Sequence, residues 1–177
     1  TPAIALLNPK YADNVAKVVR LASCYGLSQV WFSGDRVSLD PAGKQRLPRE
    51  ERMKGYQDVE LRQHDYIFDQ FPDATPVAVE VRENSESLYN FEHPVNALYV
   101  FGPEDGSISK AALAHCHRFV IIPTRHCLNL ATAAATLLWD REYKRYLAGE
   151  IEEPTTPGEY EQRGIAELPR GLCYSNV

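Results

Sequence analysis

Five short runs rich in β-branched and aromatic residues recur along the chain: Ala3–Leu7, Gln29–Ser33, Pro76–Val81, Ala97–Phe101 and Arg118–Pro123. Several are apolar at every position rather than at every second one, the pattern of strands covered on both faces. Between the first two, Ala12–Tyr25 sets Val15, Val18, Val19 and Ala22 on one stripe at helical spacing. Gly26 stands where a C′ residue ends a helix. Asp65–Phe71 and Ser109–Cys116 are shorter helical segments. The last helix runs from about Leu128 to Leu147 and is apolar almost all round as far as Trp139. There is no internal repeat. Strands separated by helices predict an α/β fold, a mostly parallel sheet with helices on both faces.

Composition changes this picture little. The 177 residues, 44% hydrophobic and 24% charged, suit one soluble globular domain. The longest uncharged apolar run, Cys127–Trp139, spans 13 residues, short of the ~20 that a membrane helix needs. Neither end carries a signal or lipidation pattern, so no membrane contact and a cytoplasmic location are expected. Four cysteines without a C-x-x-C pair read as free thiols in a reducing compartment. The run His115-Cys116-His117 lacks a second ligand cluster, and no metal is expected.

Charge changes it more. Nineteen basic against twenty-four acidic residues give a net charge of −5, which excludes a strongly basic nucleic-acid-binding domain but not a local patch. Arg36–Lys54 holds six basic and three acidic residues, whereas Glu150–Asn176 holds six acids, two arginines and three prolines. The chain therefore divides into a core, 1–148, and a C-terminal extension, 149–177, that carries much of the negative charge.

In doubly wound sheets, ligands bind beyond the carboxyl ends of the strands. Gly102-Pro103-Glu104-Asp105-Gly106 follows one predicted strand. Its glycine allows close backbone approach, and its glutamate is an acid in a cleft or a partner for a nearby arginine. Thr124-Arg125-His126-Cys127-Leu128-Asn129 follows another strand and leads into a helix N-terminus, where free N–H groups accept anions. Asn8-Pro9-Lys10 follows the first strand, with Asn14 and Arg20 on the helix after it. No G-x-G-x-x-G, Walker or G-x-S-x-G motif is present, which argues against dinucleotide, P-loop and serine-hydrolase chemistry.

Three blocks, taken in order, resemble the SpoU (TrmH-like) family of RNA ribose 2′-O-methyltransferases of the SPOUT superfamily. The stretch Asn14 to Arg20, followed by Gly26, resembles its N-x-G-x-x-x-R block, with Ala16 in place of the glycine. Tyr99-Val-Phe-Gly102-Pro-Glu104-Asp-Gly106 is similar to F-G-P-E-x-x-G. Val120-Ile-Ile-Pro123 and then Cys127-Leu-Asn129-Leu resemble I-P followed by S-L/M-N-L/V, with Cys127 for serine and a shorter intervening loop. The resemblance spans about residues 3–147.

It implies a SPOUT-type fold with a deep C-terminal trefoil knot, formed here by about Ala97 to Trp139, and a homodimer. Val15–Ala22 and Leu128–Tyr146 are the candidate dimer helices. The implied cofactor is S-adenosylmethionine, with S-adenosylhomocysteine as product, held near Val79, Gly102, Ile122, Cys127 and Leu128. Arg20 is the implied catalytic residue, oriented by Asn14 in a polar network with Glu104 and Asn129. The implied substrate is RNA, transfer RNA ahead of ribosomal RNA, its phosphates meeting Lys10, Arg36, Lys44, Arg46 and Arg49. The alternatives are a non-catalytic SPOUT-like RNA-binding or regulatory protein and a SPOUT enzyme that methylates an RNA base.

Overall fold

The computed structural model describes residues 1–39 and 59–152. Among them, seven strands form one sheet: β1 (Ala3–Leu6), β2 (Gln29–Phe32), β3 (Glu60–Gln63), β4 (Thr75–Val79), β5 (Glu86–Ser87), β6 (Ala97–Phe101) and β7 (Arg118–Ile121). The spatial order is β3-β2-β1-β6-β4-β7-β5, and every neighbouring pair is parallel. β1 and β6 are buried at every position because both faces are covered. Ile4 and Leu6 enter one apolar cluster with Val15, Val18, Ala22, Leu130, Ala134 and Leu137. Ala3 and Ala5 enter the other, with Ala78, Leu98, Val100 and Ile108. Alternate side chains of one strand thus feed opposite layers.

Helix α1 (Ala12–Cys24) and helix α3 (Leu130–Leu147) pack on the first face. The short helix α2 (Lys110–Leu113) and a 3-10 turn, Phe68–Gln70, lie against the second. All five predicted strands are found within two residues of their expected ends. Gly26 closes α1 at φ 69, with the Leu27 N–H donating to the Ala22 carbonyl at 2.9 Å. Asp65–Phe71 yields only the 3-10 turn, because Pro72 disfavours helical geometry at Phe71. Ser109 caps α2 by accepting from the Ala112 N–H at 3.2 Å. Two strands carry no apolar pattern: β3 is a polar edge strand, and β5 has two residues.

The chain divides into two compact units, Thr1–Arg141 and Glu142–Val177. The first contains the whole sheet. In it, His93 ties α3 to β6, its ring nitrogens lying 2.7 Å from the Tyr99 hydroxyl and 2.8 Å from Asp140 Oδ2. In the second, Arg145 pairs with Glu142 and Glu150 at 2.9 and 3.3 Å, and Gly149 leaves the helix at φ 72. The α1 stripe is committed to the core: Val15, Val18 and Ala22 are fully buried and Val19 is 3% exposed. That stripe is therefore core, and a dimer contact through α1 would have to use its exposed face, which carries Asp13, Lys17 and Arg20. No helix among the described residues is long and apolar enough to cross a membrane.

Candidate active site

All seven strands point their carboxyl ends at one edge of the sheet, and the turns that follow β4, β6 and β7 enclose a cavity of about 620 Å³. This is within the ~300–1,000 Å³ usual for small-molecule sites. Val79, Gly102, Ile122, Cys127 and Leu128 all line it. The structure therefore gathers the five expected cofactor residues from three separate segments. Gly102 is required by close approach: a Cβ there would lie 3.0 Å from Ile108 Cγ1 and 3.1 Å from the Ile108 nitrogen.

Glu104, also in the cavity wall, is the junction of the polar part. Its carboxylate accepts from the Lys10 N–H at 2.7 Å, the Tyr11 N–H at 3.3 Å and Asn14 Nδ2 at 2.9 Å. Helix α1 has no side-chain cap of its own at Tyr11, and a residue some ninety positions away takes up the N–H groups of the two residues that lead into it and places its negative charge at the helix N-terminus. Burial pushes the Glu104 pKa up, but the hydrogen bonds from Asn14, Lys10 and Tyr11 outweigh it and leave the carboxyl below its ordinary range.

Asn14 then passes the network on. Its Oδ1 accepts from Asn129 Nδ2 at 3.2 Å, while Asn129 Oδ1 accepts from the Ala131 and Thr132 N–H groups at 2.9 and 3.3 Å. Asn129 is thus the N-cap of α3. Three of the four expected catalytic residues form one chain, Glu104–Asn14–Asn129, which fixes the starts of α1 and α3 against the β6 turn. Asn129→Ala is expected to cost about 1–2 kcal/mol, the usual range for a lost cap, read as a lower Tm. Asn129→Asp keeps the cap oxygen but sets a carboxylate oxygen against Asn14 Oδ1, so its Tm should lie between those of the alanine variant and the wild type.

Arg20 stands outside this network. At ~100° per residue, six positions turn it about 120° away from Asn14. Asn14 is 5% exposed, whereas Arg20 lies on the exposed face of α1. Of the expected phosphate contacts, Lys10 and Arg36 are brought together around Asp105, and Lys44, Arg46 and Arg49 fall outside the described residues. Glu80 was missed from sequence. It lines the cavity, and its carboxylate accepts from the Ile108 and Val81 N–H groups, each at 3.1 Å. The expected strand ran through it to Val81, which hid an acid standing just past the carboxyl end of β4.

Cys127 and His126 are exposed neighbours on one loop, an arrangement in which a nucleophile and its base rarely meet. Cys116 is buried, and burial pushes its thiol up to about 11, Arg82 opposing. Its neighbour His115 stacks on Phe68 at 4.6 Å. Cys116 and Cys127 are free thiols. No cluster of three metal-ligating side chains occurs among the described residues.

Comparison with known families decides the lineage. The model of the SpoU rRNA methylase family matches residues 2–139. The chain belongs to that family. It is an RNA methyltransferase by descent, and the match spans the sheet, Glu104, Asn14 and Asn129. No curated protein matches the sequence. Among solved structures, one described for 2′-OH methylation of C/U34 on tRNA is 23% identical, covering 84% of this chain and 97% of that one, with a TM-score of 0.66. The Aquifex aeolicus TrmH/SpoU tRNA-modifying enzyme is 15% identical over 92% of this chain and 84% of its own, with a TM-score of 0.71. The SpoU methyltransferase AviRb of Streptomyces viridochromogenes, in complex with AdoMet, is 18% identical over 82% and 60%, with a TM-score of 0.70. At these identities the likeness establishes the SpoU fold.

Proposed function

We propose that the protein transfers a methyl group from S-adenosylmethionine to a ribose 2′-hydroxyl of RNA, with transfer RNA as the substrate class. The observation that carries this reading is the cavity at the strand ends, where Val79, Gly102, Ile122, Cys127 and Leu128 meet. Its volume, its largely apolar lining and the cradle that a Cβ at Gly102 would fill suit an adenosyl and methionyl group. When bound, the cofactor supplies a methyl carried on a sulfonium. Val79, Ile122 and Leu128 offer apolar contact, while the Gly102 turn lets the chain approach closely. Gly102→Ala is expected to cost about 1–3 kcal/mol in overpacking and to weaken cofactor binding in calorimetry, because a retreat of Ile108 would stretch its 3.1 Å hydrogen bond to Glu80.

In the reaction the ribose oxygen gains the methyl, the sulfonium bond breaks, and the hydroxyl proton is lost. A 2′-hydroxyl is a poor nucleophile at neutral pH, so it must be aligned and its developing charge stabilised. Arg20 serves as that cation or grips the adjacent phosphate. A guanidinium stays protonated, which makes it unsuited to act as the base. Glu104, Asn14 and Asn129 are positioning residues that hold α1 and α3 at the cavity.

The working unit in this reading is a homodimer that uses α3. Its inner face is core, but Trp139 is 62% exposed. The deep knot would involve the Ala97–Trp139 segment, consistent with β7 lying beyond β4 rather than beside β6. An RNA substrate and free thiols suit a reducing compartment such as the cytoplasm. The test is incubation with methyl-labelled cofactor and separate tRNA and rRNA pools, followed by nucleoside analysis. Label in 2′-O-methyl nucleosides of tRNA is expected. Label on a base would point to the base-methylating alternative, and cofactor binding without any transfer to the non-catalytic one.

A further inference from the structure

Lys10 and Arg36 do not present free charges at the strand ends. Arg36 Nη1 lies 2.9 Å from both carboxylate oxygens of Asp105, and Lys10 Nζ lies 3.8 Å from Oδ2. Asp105 belongs to the turn whose other members, Gly102, Pro103, Glu104 and Gly106, line the cavity. The cations themselves sit on a rigid corner. Arg36 Nη2 donates to the Asn8 carbonyl. Asn8 and Gly34 follow the adjacent strands β1 and β2, at φ 48 and 83. A side chain at Gly34 would collide with that of Asn8.

This corner is underfilled. Arg36 Nε is shut off from solvent and has no hydrogen-bond acceptor among the described residues. The carboxylate engages only one nitrogen of a fork suited to bidentate oxyanion recognition. A phosphodiester carries the same single charge on two non-bridging oxygens but is not tethered to the β6 turn, so it can settle between Arg36 Nη1 and Lys10 Nζ, which the carboxylate leaves at 3.8 Å. The Asp105 side chain is 44% exposed, and ion pairs at such positions are weak enough to exchange. The Arg36 hydrogen bond does hold the Asp105 carboxyl below its ordinary pKa range, so it remains an anion at neutral pH.

We infer that Lys10 and Arg36, set on the Asn8 and Gly34 turns, form a subsite for one RNA backbone phosphate, which the Asp105 carboxylate occupies as an internal placeholder until RNA displaces it. This rests on the RNA reading above and adds to it a specific exchange of anions. Because Asp105 shares its turn with the cavity wall, displacement by RNA would be felt at the cofactor site as well.

The experiment measures affinity for tRNA and for inorganic tripolyphosphate in the wild type, Asp105→Asn, Asp35→Asn, Arg36→Gln and the Arg36→Gln/Asp105→Asn double variant. Asp35→Asn removes the same charge beside Arg36 in sequence without touching the pair, and so reports general electrostatics. Asp105→Asn is expected to tighten both ligands by about two- to five-fold, the range set by an exposed ion pair, and clearly more than Asp35→Asn. In the Arg36→Gln background that gain should shrink to the Asp35→Asn level. An Asp105→Asn effect equal to that of Asp35→Asn, or a loss of affinity, overturns the placeholder even if tRNA is methylated. Tighter tripolyphosphate binding with no tRNA binding or methylation keeps the subsite and overturns the RNA reading instead.

Discussion

Replacing Arg20 by alanine is expected to lower methyl transfer to RNA by about 10²–10³-fold, the cost of removing one donor to a developing oxyanion. Affinity for S-adenosylmethionine should hardly change, because Arg20 is not among the residues that line the cavity. Thermal stability should hold too, since the side chain lies on the exposed face of α1. Arg20→Lys keeps the charge but loses the planar fork, so it should recover only part of the rate. Single-turnover transfer, calorimetry with the cofactor and a melting curve on the same preparations separate the possibilities. Parallel loss of transfer and cofactor affinity would place Arg20 in cofactor binding. An unchanged rate would remove it from the mechanism altogether.

The case of Arg20 also marks how far sequence reading reaches. The central strands were legible because β1 and β6 are buried on both faces and so carry unbroken apolar runs. The edge strands β3 and β5 were not, because Glu60–Gln63 is polar and Glu86–Ser87 too short to show a period. Apolar spacing found α1 correctly but could not say what its stripe covers, and the stripe proves to be core. At the site, motif spacing identified Glu104, Asn14 and Asn129 as a group, and the hydrogen bonds join them. Helical phase alone turns Arg20 away from Asn14, a fact available from the sequence but overridden by the motif. Two features had no local signal: Glu80 in the cavity wall and the capture of Lys10 and Arg36 by Asp105. Both depend on turns from different strands meeting at one edge, which only the strand order decides.

Glu104→Ala is expected to be the most destabilising single change at the site. It leaves three donors without their acceptor: the Lys10 and Tyr11 N–H groups and Asn14 Nδ2. Tyr11 is exposed, so water can serve its N–H, but Asn14 is 5% exposed and bears most of the penalty. About 2–3 kcal/mol is the expected loss, or roughly 5–10 °C in Tm for a domain of this size. Glu104→Gln keeps the shape but turns one acceptor into a donor facing N–H groups, and should fall between the alanine variant and the wild type.

The pH dependence gives the sharper test. The folded carboxyl titrates below its ordinary value, so the native state binds fewer protons than the unfolded chain between the two pKa values. The stabilisation from Glu104 is therefore complete above the unfolded glutamate value of about 4.3. It declines as pH falls through the folded value. Denaturant melts of the wild type and Glu104→Gln at pH 7, 5, 4 and 3 should show a constant gap down to about pH 5 and a shrinking one below. Asp105 titrates low for its own reason, the Arg36 contact, but it is present in both proteins and cancels in the difference. A gap that stays constant to pH 3 would mean that the Glu104 charge contributes nothing to holding α1 against the β6 turn, leaving shape alone as its role.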